Sequence, residues 1–374
     1  MKHLFLVHTP ITYLSSVSII SKLGLQREDA IIFFIQFDKA ISSSDQYISV
    51  TLNEFYKKER SFKKLYNYFR YFNIPGRIDP IIDATINNEK FVAYVPVLTF
   101  IHKLFITHPN CCAFNFIEEG LAHYYKEETL ENLDPGYSKD LWRSSISQNT
   151  KKVLNEMYLV LRGYNFKLQG LPFSYSCYNS FEHVRFYGLT QDSFPLIDVR
   201  KKVIIPFEKK RFALQKPEYN VNLDGKIVWI GDASVLRHGF SASIYIKGIK
   251  DGCIGFIKNR GEKEIFIKFH RDEPVQLRTA IKKLFQENGI SFQIIPDSVI
   301  MELLLFKAEN VTLVGIYSSL LYYASIMGHH SFSIYEFVKQ EYSKVLKNRD
   351  FAFYWSKVSL IKYFDRYSEV TSNF

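Results

Sequence analysis

Long apolar runs are missing from this 374-residue sequence: no stretch reaches about 18 apolar residues, so no transmembrane helix is expected. The opening "MKHLFLVHTPITYLSSVSII" imitates a signal peptide with its Lys and short apolar stretch. His8, Thr9 and Pro10 interrupt that stretch and no small-residue cleavage site follows, so it reads as a first strand and its loop. Cysteine is scarce too. The four present (Cys111, Cys112, Cys177, Cys253) have no metal-ligand spacing, which excludes a zinc site of the usual kind and fits a reduced cytosolic compartment without excluding secretion. Internal repeats, low-complexity tracts and nucleic-acid-binding motifs are also lacking, and nucleic acid is set aside as a partner.

What is abundant is core material. Hydrophobic residues make up 47% and aromatics 16%, with 33 Phe and 25 Tyr, so the chain folds, and its length favours two domains of about 150–200 residues. Net charge is +10, and it concentrates in two places. "FYKKERSFKKLYNYFR" (55–70) carries six basic residues against Glu59, and "RKKVIIPFEKKRFALQK" (200–216) carries seven against Glu208. Solvated helix faces, an anionic membrane surface and an acidic substrate all fit such clusters.

Short apolar runs alternate with helix-like segments. Strands are expected at 3–7, 30–37 and 112–118, then at 226–231, 264–270, 291–296 and 310–316, with helices at 274–288 and 297–307. Strand–helix–strand alternation with β-rich apolar strands implies parallel sheets covered by helices on both faces. The polar, proline-bearing segment 206–222 is the expected linker. It separates an N-terminal domain (1–205) from a C-terminal domain (223–345), each doubly wound α/β and the two facing a cleft; a helical aromatic tail (346–374) packs back or meets a membrane.

Ligands of open α/β sheets bind beyond the carboxyl ends of strands, and three such ends carry polar chemistry. Glu118-Glu119-Gly120 ends the third strand. Side chains alternate along a strand, so one acid points into a cleft while the other points away, and a carboxylate there suits a general base; a solvated pair of loop acids is the plainer reading. Gly120 next allows a tight turn or a close backbone approach. "IFIKFHRDEP" places His270 at a strand end between Lys268 and Arg271, cations that suit an anionic phosphate, although a satisfied surface histidine is the plainer reading of this segment alone. "NVTLVGIYSSLLYYASIMG" ends a strand at Ser318 and Ser319, which open a helix either as simple caps or as an anion cradle. Asp232, ending the first strand of the second series, is a rival base.

Taken together, an acid–acid–glycine segment, a histidine strand end and a paired-serine helix start resemble the bacterial sialyltransferases. The nearest in style are the lipooligosaccharide sialyltransferases of glycosyltransferase family 52 and the related polysialyltransferases. "LFLVHTP" also looks like the opening strand and loop of such enzymes, which brings in Thr9. One dipeptide departs: His270-Arg271 stands where the family has His-Pro, while His108-Pro109 precedes the acidic motif and reads as a loop.

The resemblance implies a GT-B fold and inverting, metal-independent transfer of sialic acid from CMP-sialic acid to a terminal galactose or related sugar of a surface glycan. Glu118 would then be the base, with Glu119 positioning the loop or acceptor and His270 assisting departure of CMP. The donor would be held by Ser318, Ser319, Lys268, Arg271, Glu302, Gly120 and Thr9, with no cofactor and no metal. CMP-Kdo, CMP-pseudaminic acid or a UDP-sugar as donor, and a non-catalytic glycan-binding relative, are the alternatives. The expected partners are the CMP-sugar, a glycan or glycolipid acceptor, an anionic membrane met through 55–70 and the tail, and a second copy in a homodimer. The expected location is the cytoplasm, at the inner face of the bacterial inner membrane.

Overall fold

The computed structural model describes residues 1–35, 47–52, 64–124, 157–165, 175–207, 219, 221–238, 240–316, 318–338 and 362–363. The basic segments fall largely outside these: 55–63 entirely, the side chains of 64–70, and 208–216. So does the tail apart from Lys362 and Tyr363. The chain divides into two compact units, Met1–Phe207 and Glu208–Phe374.

In the first unit the elements run β1 (Lys2–Val7), α1 (Pro10–Lys22), β2 (Ala30–Phe34), β3 (Ile48–Thr51), α2 (Lys64–Ile86), β4 (Phe91–Val95), α3 (Phe100–Thr107), β5 (Cys111–Ile117), β6 (Phe186–Gly188) and β7 (Lys202–Ile204). They form one parallel sheet in the order β3-β2-β1-β4-β5-β6-β7. The central strands "HLFLV", "AIIFF" and "FVAYV" are buried nearly throughout, as parallel strands covered on both faces must be. Leu4, Leu6, Ile31 and Phe33 face α2 and α3, and α2 presents Ile74, Ile78, Ile82 and Ile86 at the four-residue spacing of one helix face. On the opposite face α1 packs across β1, with Tyr13 near Phe34.

The second unit repeats the plan. Its elements are β8 (Ile227–Ile230), α4 (Ser234–His238), α5 (Ala242–Gly248), α6 (Gly255–Asn259), β9 (Glu264–Lys268), α7 (Val275–Glu287), β10 (Ser291–Ile294), α8 (Met301–Leu305), β11 (Thr312–Gly315), α9 (Ser319–Ile326), β12 (His330–Ser333) and β13 (Lys362–Tyr363). A π-helical turn, Ile249–Ile254, joins α5 to α6. The parallel sheet is ordered β10-β9-β8-β11-β12-β13, which, counted from its own first strand, is 3-2-1-4-5-6, the order of the first six strands of the other sheet. Both units therefore have the doubly wound, Rossmann-like order, and two such domains in tandem are the make-up of a GT-B fold. Each order reverses between its first and fourth strands, so a crevice is set at the carboxyl ends of β1 and β4 in one unit and of β8 and β11 in the other.

Two expectations are corrected. Strand β9 ends at Lys268, so Phe269 and His270 lie in the loop beyond it rather than in the strand. Lys362 and Tyr363, expected to be helical, add a short strand to the edge of β12, because an open parallel edge offers unpaired backbone groups that an aromatic, extended segment satisfies. Among the described residues, no helix is long and apolar enough to cross a membrane.

Phe33 is wholly buried in the middle of β2, with its ring centroid 4.9 Å from that of Phe105. Phe33→Ala is expected to cost about 3–5 kcal/mol, read as a lower urea midpoint for the transition of the first unit.

Candidate functional site

At the switch point of the first unit the loop after β1 is fastened before any ligand arrives. Thr9 caps α1: its Oγ1 accepts the Thr12 N–H at 3.2 Å while Thr12 Oγ1 accepts the Thr9 N–H at 2.9 Å, and Pro10 follows at the first helical position. The same Thr12 hydroxyl oxygen accepts the His8 N–H at 3.1 Å. Thr9 Oγ1 also donates to the Glu119 carbonyl at 3.2 Å, which ties the β1 loop to the β5 loop. Thr9, expected to hold donor, is occupied as a cap and tie.

The two glutamates separate, but in the opposite sense to the expectation. Glu118 lies on the same side of its strand as Phe114 and Phe116, the side closed by Tyr178, Phe186 and Phe194. It is completely buried. Oε1 accepts from the Tyr124 hydroxyl at 2.8 Å, and Oε2 accepts from the Leu189 N–H at 2.8 Å and the Ser193 hydroxyl at 2.7 Å. A carboxylate saturated by three donors behind a packed face has no room to meet a substrate hydroxyl, so the geometry speaks against Glu118 as the base. It anchors β5 to the β6 turn instead. There Gly188 is needed, since a Cβ would stand 2.5 Å from that of Ser193.

Glu119 points the other way, its carboxylate 26% exposed and its Oε1 2.6 Å from His8 Nε2. Burial pushes its pKa up, yet the bond from His8 and the nearby imidazoles of His8 and His123 outweigh it and hold the carboxyl below its ordinary range. His123 Nδ1 accepts the Glu119 N–H at 3.0 Å, and burial lowers this imidazole to about 4, leaving it neutral. Its ring also bonds the Pro96 carbonyl just past β4. His102, buried on α3, bonds Thr99 Oγ1 through Nδ1 at 2.7 Å and lies edge-on to His8 with centroids 5.6 Å apart. Burial drives its pKa well down. Gly120 has no positive φ and no atom within 4 Å of where a Cβ would stand, so neither the expected tight turn nor close packing demands glycine there.

In the second unit the loop after β9 is built around His270. Its N–H donates to Glu273 Oε2 at 2.7 Å, and its carbonyl accepts from the Glu273 N–H at 2.9 Å and from Arg278 at 2.7 Å. Its Nδ1 accepts the Asp272 N–H at 3.1 Å, so the neutral ring carries its proton on Nε2. Glu273 lies against Gly231, where a Cβ would come within 2.2 Å of Oε2, and its Oε1 accepts from Tyr245 at 3.3 Å. The backbone of His270 is thus restrained by two side chains, Glu273 and Arg278.

The remaining expected residues divide. Lys268 is not available to a phosphate: its ammonium donates to the carbonyls of Pro296, Asp297 and Val299, at 2.5, 3.2 and 2.8 Å. Glu302, in the first turn of α8, is half-buried, and burial raises its pKa against the pull of Lys268. Arg271 is exposed, 3.9 Å from Asp272. Ser318 caps α9 through the Leu320 N–H at 3.4 Å, and Ser319 stands exposed at the first helical position. Asp232 is buried beside Tyr245 and accepts the Ser234 N–H at 2.8 Å, a loop-forming role unlike that of an open base. Sequence reasoning missed His8, His102, His123, Glu273 and Arg278. The "VHTP" after the first strand was the one visible signal for His8. Among the described residues, no cluster of three or more His, Cys, Asp or Glu is arranged to hold a metal.

No known protein family and no curated protein matches the chain. Solved structures similar to it include a sialyltransferase from Photobacterium damsela (13% identity, 97% of this chain and 81% of that one, TM-score 0.47). Others are a UDP-GlcNAc 2-epimerase from Neisseria meningitidis bound to UDP-GlcNAc (12%, 97% and 95%, 0.46) and MurG from Acinetobacter baumannii (7%, 97% and 85%, 0.37). At such identities and scores, chemistry has to be read from the residues.

Glu118→Gln puts an amide N–H₂ among three donors and is expected to destabilise the first unit by roughly 1–3 kcal/mol in urea unfolding. An unchanged midpoint would contradict the anchoring role.

Glu273 gives a pH dependence. Burial first, then the charge of Asp232, raise its pKa to about 8 against the bonds from His270 and Tyr245 and the charge of Arg278. The folded state thus holds this proton more tightly than the unfolded one. Its stabilisation is complete below about pH 4.3 and is lost as pH rises through about 8. Glu273→Gln is expected to flatten that decline in urea midpoints measured between about pH 5 and about pH 8.

Proposed function

We propose that the chain is an inverting glycosyltransferase that moves sialic acid from CMP-sialic acid to a hydroxyl of a terminal galactose or related sugar of a bacterial surface glycan, without a metal. The observation that carries this is the 2.6 Å contact of His8 and Glu119 at the switch point of the first unit, a partly open carboxylate–imidazole pair suited to deprotonating an acceptor hydroxyl. Acceptor activation belongs to this pair and not to Glu118. In the second unit His270 is the leaving-group residue: with Asp272 holding Nδ1, the neutral ring carries on Nε2 the hydrogen that would serve a departing phosphate. Ser318 and Ser319, with the first backbone N–H groups of α9, are the phosphate seat. Such donors stabilise developing negative charge without a divalent ion. A net charge of +10 suits a substrate pair in which the donor, and commonly the glycan, is anionic.

Release of CMP from CMP-sialic acid with lactose or lactosaminyl acceptors is the test. His270→Ala is expected to lower turnover by about 10²-fold or more and to weaken CMP binding in calorimetry. Turnover with UDP-sugars alone would replace the donor assignment. Full CMP-dependent activity in His270→Ala would remove His270 from the site.

A further inference from the structure

Among the described residues two histidines flank Glu119: His123 accepts its N–H, and His8 meets its carboxylate. His8 reaches it through Nε2 at 2.6 Å, and with the carboxylate as acceptor this nitrogen carries the hydrogen. Its other ring nitrogen, Nδ1, is therefore the basic one. We propose that His8, not Glu119, receives the proton of the acceptor hydroxyl, and that Glu119 is the residue that orients and charges it; this rests on the transfer reaction proposed above.

The step balances without any further reactant. The hydroxyl proton passes to His8 Nδ1 as an oxygen lone pair forms the bond to the anomeric carbon. The bond from that carbon to the phosphate oxygen breaks, and its electron pair leaves with CMP. The Nε2 hydrogen stays shared with Glu119, so the imidazolium that forms lies against a carboxylate, the logic of a nucleophile–base–orienter triad.

Three observations favour His8 over Glu119 as the acceptor of the proton. A carboxylate already bound by an imidazole N–H is a weakened base, and Glu119 is held below its ordinary range. As classes of group, an imidazole is the stronger base by about two pKa units, closer to neutral working pH. The surroundings also spare a cation at His8. The titratable groups facing it are Glu119, His102 and His123, and burial keeps both histidines neutral. The backbone of His8 is pre-set as well, by its N–H bond to Thr12 Oγ1 and by the Thr9–Glu119 tie.

Two measurements test it. In ¹⁵N NMR of histidine-labelled wild-type protein, His8 is expected as the Nε2–H tautomer, turning to a mixture in Glu119→Gln; the Nδ1–H tautomer in wild type would overturn the proposal whether or not any variant folds. In transfer assays, His8→Gln is expected to lower kcat by about 10²–10⁴-fold with acceptor KM little changed, and to abolish the acid limb of the pH–rate profile. Glu119→Gln is expected to keep that limb, since the imidazole that takes the proton remains. If instead His8→Gln keeps a wild-type limb or near-wild-type turnover, Glu119 is the base and only this inference falls. Absence of transfer by the wild-type protein from any CMP- or UDP-sugar overturns both.

Discussion

A parallel strand cannot return by a hairpin, and that constraint organises this chain twice over. Each return must cross the sheet through a longer connection, so all carboxyl ends in a unit collect on one edge. The order 3-2-1-4 then opens a crevice where successive crossovers leave in opposite directions. In the first unit that place receives the loops after β1, β4 and β5, and so His8, Pro96 and Glu119 meet although 88 residues separate the ends of the first two of these strands. In the second it receives the loops after β8 and β11, with the loop of His270 alongside on β9.

Charge within these loops is settled by what is buried first. Glu118 is desolvated completely and is tolerable only because three donors replace water. Glu119 keeps one side to solvent and takes an imidazole as partner. Glu273 is buried and has a second acid nearby, so despite backbone and hydroxyl donors it retains its proton to higher pH than an ordinary carboxyl. Three glutamates in loops that follow strands thus have three electrostatic fates.

Much of the architecture was legible because buried parallel strands are written as uninterrupted apolar runs. β1, β2, β5, β8, β9, β10 and β11 all stand where such runs occur. β4 was missed because "FVAYVPVLTFIHKLF" continues from strand into helix with little polar punctuation, and β12 because "HSFS" is half polar. The positions of the candidate residues were legible in outline, since strand ends are. Their roles were not. Alternation says that Glu118 and Glu119 diverge, but which side is closed depends on Tyr178, Phe186 and Phe194, some 60 to 76 residues downstream. Lys268 looked like a phosphate ligand because the carbonyls that consume its charge belong to a loop 28 to 31 residues away.

The neighbouring pair Glu118-Glu119 has a consequence for genetics. A loss at the first acts through the amount of folded protein, whereas a loss at the second acts through the rate of each molecule. A screen that scores only product in cells would rank the two together as one acidic motif. Lowered temperature or raised expression would separate them, rescuing the buried glutamate and leaving the open one null.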